Sequence, residues 1–104
     1  MSTQESGIEA NDRQIEVLRQ VISEREYQDN KWGTIEENPH EIGQWISLMG
    51  KTMAKSAICY QECRSRDALD EILQCVAVGL ACLEQHLDTS GPAGLWKVEE
   101  EKSE

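Results

Sequence analysis

Few residues in this chain are of types able to do chemistry, and their spacing decides how to read them. Four cysteines stand at positions 59, 63, 75 and 82. Cys59 and Cys63 lie four apart and Cys75 and Cys82 seven apart, so each pair can share a helical face. Four thiolates from two antiparallel helices would in principle hold zinc, but the second pair lacks the short knuckle spacing set in turns. Small buried thiols within a core are the better reading. His40 stands in the first turn of a helical pattern, where a neutral imidazole is ordinary, and His86 near the end of another suits the helix dipole. Trp32 and Trp45 could stack on a base. Trp45 falls in an apolar stripe and reads as core, whereas Trp32, on a loop beside Lys31, is the better ligand candidate. Gln28 and Asp29 either orient that loop or end the preceding helix. The chain shows no nucleophile–base pair, phosphate-cradling glycine loop or basic patch, so the enzyme classes built on those features find no support.

The elements that must position these residues are helical. After a lead-in over 1–10 without periodicity, Asn11 caps a helix from Asp12, with Gln14 completing a capping box. Ile15, Leu18, Val21 and Ile22 share one face, and the helix runs towards Asp29. A loop through Gly33 and Asn38 follows. Asn38 is the expected N-cap of the second helix, with Pro39 at N1 and Glu41 at N3. Its stripe contains Ile42, Trp45, Ile46, Met49, Met53, Ala57 and Tyr60, ending near Glu62 to Arg64. Asp67 is the expected cap of a third helix from Ala68 to about Leu87, apolar over most of its circumference between Ile72 and Leu83. Such a helix needs more cover than two neighbours in one small chain supply, so the expected fold class is all-α, three main helices in an oligomeric bundle, most simply a dimer. Residues 11–88 form the helical domain and 89–104 an extension. There, Thr89-Ser90-Gly91-Pro92 ends the helix, Leu95-Trp96-Lys97-Val98 docks back, and an acidic tail follows.

Composition narrows the classes further. A chain of 104 residues makes one domain with a small core. The net charge is −10 and acids outnumber bases in every section, so no basic stripe exists to neutralise a phosphate backbone and direct nucleic-acid binding is not expected. The acidity reads as a well-solvated surface, or more sharply as a decoy for a basic groove on a partner. No run is long enough to span a membrane and Met1-Ser2-Thr3-Gln4-Glu5 is no signal peptide, so a cytoplasmic location with reduced cysteines is expected.

One stretch carries a family resemblance. Glu24-Arg25-Glu26-Tyr27-Gln28-Asp29-Asn30-Lys31-Trp32-Gly33, followed by His40 and Trp45-Ile46-Ser47-Leu48, resembles a phage and bacterial subgroup of the MazG-like nucleotide pyrophosphohydrolases, over about residues 12–88. The resemblance implies an all-α oligomer that splits nucleoside triphosphates into monophosphate and pyrophosphate. It also implies Mg²⁺ held by Glu-Glu-x-x-Glu on one helix and Glu-x-x-Asp on the next, a spacing that turns the carboxylates onto facing surfaces. Here that pattern breaks. Lys51, Thr52 and Lys55 stand at the first motif, while Glu71 remains in the second with Gln74 in place of its Asp. No acid occurs between Glu41 and Glu62, so no shift of register restores the set.

The expectation is therefore a non-catalytic MazG-like protein, with no catalytic residue and no cofactor, that binds a nucleotide or a protein partner. The alternatives are an atypical pyrophosphohydrolase and an acidic phage-type inhibitor acting by surface mimicry. The candidate nucleotide-binding residues are Lys31, Trp32, His40, Lys51, Lys55 and Glu71. Lys55 is expected either to pair with Glu71 and close the vacated site, to offer a charge to an anion, or to be an ordinary solvated residue.

Overall fold

The computed structural model describes residues 9–89 and 96–97. Helix α1 spans Asp12–Trp32, α2 Ile42–Gln61 and α3 Ser65–His86. Of the expected lead-in over residues 1–10 only Glu9 and Ala10 are described; residues 1–8, Ser90-Gly91-Pro92, Leu95, Val98 and the acidic tail lie outside the described residues.

The start of α1 follows its sequence signal. Asn11 Oδ1 accepts from the Gln14 N–H at 2.8 Å, and Gln14 Oε1 accepts from the Asn11 N–H at 2.9 Å, so two of the otherwise orphaned donors are satisfied. Its end does not lie at Asp29. No breaker precedes Gly33, so α1 continues through Trp32 and stops where Gly33, at φ 96°, turns its N–H back to the Asp29 carbonyl at 2.8 Å. Trp32 is thus the last helical residue rather than part of a loop.

The second helix also begins later than expected. Glu41, not Asn38, is the N-cap, and its N–H donates to Gln44 Oε1 at 2.7 Å. Asn38 instead closes the connecting loop by donating from Nδ2 to the Trp32 carbonyl at 3.3 Å. The reason lies on α3: Gln85 accepts from the His40 N–H at 3.1 Å and donates to the His40 carbonyl at 2.7 Å, so His40 is tied to α3 instead of starting the α2 ladder. Between α2 and α3 the chain turns through Cys63, at φ 63°. Asp67, the expected cap, sits inside the first turn of α3 and accepts from Arg64 at 2.8 Å.

α3 is the central element: α2 packs along one side of it and α1 across another, while α1 and α2 do not pack on each other. Small residues make this closeness possible. Ala68, Cys75, Ala77, Val78 and Ala81 are the buried positions of α3, and a Cβ placed on Gly79 would stand 3.0 Å from Met49 Cε. The core cluster is Trp45, Val78 and Ala81, with Ile35, Met49 and Cys82 packed against it. Much apolar surface remains uncovered, including Ile15, Leu18 and Ile22 on α1, Ile46 and Met53 on α2, and Leu69, Ile72, Val76 and Leu83 on α3. After α3, Leu87 and Trp96 form an isolated bridge and the Lys97 N–H donates to the His86 carbonyl, so Trp96 and Lys97 meet the end of α3. No helix among the described residues is long and apolar enough to cross a membrane.

Candidate functional site

Because α1 and α2 both lean on α3 without touching, a groove opens between them. α3 is its floor, and the loop from Gly33 to His40 runs along it. The groove has a volume of about 470 Å³ and contains all six residues singled out from the sequence: Lys31, Trp32, His40, Lys51, Lys55 and Glu71. Thr52 and Gln74 line it as well.

The α1 wall is fixed by a side chain that sequence reasoning passed over. Arg25 is buried, and its guanidinium spans two elements. Nε and Nη2 donate to the two oxygens of Glu84 at 3.0 and 2.9 Å, and Nη1 donates to Asp29 at 2.7 Å. The hydrogen bonds from Glu84 and then Asp29 raise the Arg25 pKa further above its ordinary value, against the opposing effect of burial. One turn on, Gln28 donates from Nε2 to the Gln74 carbonyl at 3.3 Å. These bonds stitch α1 to α3 and account for Arg25, Gln28 and Asp29 as positioning residues.

The aromatic residues divide as their neighbours suggest. Trp45 is buried and donates from Nε1 to Gln85 Oε1 at 3.1 Å, with the His40 ring edge-on to it at 4.7 Å. His40 is therefore half-buried against the core, and its main chain is occupied by Gln85. Trp32 is 56% exposed, and Lys31 Nζ lies 4.9 Å from its ring and 5.7 Å from that of Tyr27. The rim thus offers an exposed aromatic ring with a cation over one face.

At the other end the expected closing pair is not formed. Lys55 and Lys51 are exposed, and neither reaches Glu71; the ion pairs here are those of Arg25, with Asp29 and Glu84. Glu71 Oε1 is buried and meets no hydrogen-bond donor. A lysine carries its charge on a long, strongly hydrated stem, and drawing the ammonium down to Glu71 would cost its solvation. The site therefore stays open.

The donor set does not suit the divalent cation that the resemblance implies. Glu71 is flanked by an amide and two lysines, Asp29 is engaged by Arg25, and no group of three His, Cys, Asp or Glu side chains among the described residues could hold a metal ion. The cysteines do not gather either. Cys59 and Cys75 are buried, Cys82 is half-buried with burial pushing its thiol pKa up, and Cys63 is exposed in the α2–α3 turn, a departure from the expected core position. His86 closes α3 with Nδ1 2.9 Å from the Cys82 carbonyl.

No protein-family model, curated protein or solved structure matches the chain.

Proposed function

We propose that this chain is a non-catalytic, MazG-like helical scaffold that acts as a homo-oligomer and holds a nucleotide in the groove between α1 and α2. The observation that carries this reading is the sign of the charge. On a chain of net charge −10, the groove is lined by four cations, Arg25, Lys31, Lys51 and Lys55, against two carboxylates, Asp29 and Glu71. Arg25 is already neutralised by its partners, so the three lysines are what an anion would meet. Trp32 beside Lys31 supplies a face for a base, and the lysines of α2 supply charge for phosphate oxygens. A groove of this size is in the range of small-ligand pockets. The missing carboxylates favour binding over hydrolysis, because nothing here would assemble the metal cluster that activates water.

Titration calorimetry with a nucleoside triphosphate panel in EDTA tests the reading. The expected result is binding that survives chelation and weakens at least tenfold in a Lys51→Gln/Lys55→Gln double variant. The same preparation should release no pyrophosphate with Mg²⁺ or Mn²⁺. Metal-dependent turnover that survives repurification and disappears in Glu71→Ala would overturn the non-catalytic half of the proposal.

A further inference from the structure

The side of α3 turned away from the groove carries an order that packing within one chain does not use. From Leu69, the residues Leu73, Val76, Leu80, Leu83 and Leu87 follow at spacings of four, three, four, three and four. Every one of them is aliphatic. This is the 3.5-residue repeat by which a helix seats its side chains between those of a second helix crossing at a shallow angle. Glu71 and Val78, which line the groove, hold the position opposite in the same repeat. The neighbours within the chain approach α3 from its flanks and leave the seam open. α1 holds Glu84 through Arg25, and α2 meets Cys75 and Gly79 through Met49. Leu69 is 65% exposed, Val76 and Leu83 48% and Leu87 42%, while Leu73 and Leu80 are half-buried.

The charges at the two ends of the seam say what fits it. One turn before Leu69 the same line continues in Arg66, which is exposed and enters no ion pair among the described residues. Just past Leu87 stands Asp88, at the C-terminal end of α3 where the helix dipole is negative. Laid antiparallel, two copies of α3 bring Leu69 level with the partner's Leu87, Leu73 with the partner's Leu83 and Val76 with the partner's Leu80. Arg66 then comes to the negative end of the other α3, beside the partner's Asp88. A parallel pairing would set Arg66 against Arg66 and Asp88 against Asp88, with the helix dipoles aligned. The antiparallel order also draws Asp70 towards the partner's Glu84, a charge that Arg25 already holds.

We infer that two copies of this chain pair through an antiparallel seam of α3 on α3, built on Leu69, Leu73, Val76, Leu80, Leu83 and Leu87, with Arg66 of each closing on the far end of the other. This rests on the self-association in the reading above and supplies its interface and orientation. Because the seam lies half a turn from Glu71 and Val78, the two grooves open outward and each is lined by one chain.

The test places cysteines on the seam, in a Cys63→Ser parent that lacks the exposed native thiol. Leu69→Cys, Leu87→Cys and the two together are oxidised mildly and run on non-reducing gels, after circular dichroism melts show that each is folded. In an antiparallel pair Leu69 lies about 27 Å from the partner's Leu69, eighteen residues of helical rise. Each single variant should therefore run at the mass of one chain, while the double variant and an equimolar mixture of the singles run at two. One helix cannot join its own positions 69 and 87, so that bond must link copies. Cross-linking of Leu69→Cys to itself would make the pair parallel and overturn the inference. No cross-link in any variant of an oligomeric parent would move the interface off the seam, overturning the inference and leaving self-association standing. A parent with the mass of one chain in light scattering overturns both, and nucleotide calorimetry judges the groove separately.

Discussion

At the scale of single residues, the altered motif positions were legible because their meaning is negative. The resemblance led one to expect acids at the positions of Lys51, Thr52, Lys55 and Gln74, and the chemistry of a side chain can be read without a fold. That these four residues are not acids is visible in the sequence; the state of Glu71 is not. Whether Lys55 would fold down onto Glu71 depends on the competition between hydration and pairing, and the structure leaves Glu71 Oε1 without a donor. Arg25 was illegible for another reason: its main partner, Glu84, lies 59 residues away. Removing Arg25 would strand two carboxylates and unpin α1, so Arg25→Ala should lower stability by about 2–3 kcal/mol, less than the roughly 3–5 of a fully buried pair because Asp29 and Glu84 remain partly hydrated. Arg25→Lys should not restore it, since an ammonium cannot reproduce the two-pronged contact with Glu84 together with the bond to Asp29. Urea unfolding of both variants checks this, and a loss under about half a kcal/mol would show the network to be ornamental. The cysteines give a second prediction. Cys63 is exposed, Cys59 and Cys75 are buried, and burial keeps the Cys82 thiol protonated to higher pH. A thiol-reactive chromophore should therefore label a single cysteine quickly in the native protein, and Cys63→Ser should abolish that fast phase.

At the scale of elements, the three helices followed from apolar spacing, and the cap of α1 from Asn11 and Gln14. The start of α2 did not, although Asn38-Pro39 is a strong local signal. A side chain from another helix decides it: Gln85 holds the N–H and carbonyl of His40 and also accepts from Trp45 Nε1, so the helix must wait until Glu41. Local preference gives way to a tertiary contact of three hydrogen bonds. The same contact lays the loop along the groove and sets the His40 ring against Trp45. Gln85→Leu keeps the volume but orphans the half-buried His40 and Trp45 donors, so it should cost about 2 kcal/mol. It should also free residues 34–40 to exchange amide hydrogens faster, while the ends of α2 and α3 away from the loop keep their protection. Unchanged protection of that loop in hydrogen-exchange mass spectrometry would mean that the loop is held by something other than Gln85.

At the scale of the whole molecule, one helix faces two ways. Successive residues of an α-helix turn by about 100°, so Glu71, Gln74, Val78 and Ala81 look into the groove, whereas Leu69, Ile72, Val76 and Leu83 lie roughly half a turn away. The four residues of that back face are all exposed, and Ile15, Leu18 and Ile22 on α1 add further open apolar surface. Radial measure agrees: the radius of gyration is 16.4 Å, where a compact chain of about 100 residues would give about 13 Å. The sequence led to the expectation that α3 needs more cover than its own chain provides, and this open back face is where such cover would sit. If copies of the chain supply that cover through the back of α3, assembly and ligand binding use opposite faces and should separate under mutation. The protein should therefore run as an oligomer in light scattering coupled to size exclusion at low micromolar concentration. An Ile72→Glu/Val76→Glu variant, which places two charges on the back face, should shift it to the mass of one chain or precipitate it. Where it stays in solution, its melting temperature should fall while its affinity for a bound nucleotide in EDTA changes by less than about threefold, because the groove face of α3 is untouched. A wild-type mass of a single chain would remove the case for self-association. An oligomer undisturbed by the two glutamates would move the interface to the exposed stripes of α1 and α2, and an affinity that collapsed together with the oligomer would mean that a second chain completes the groove.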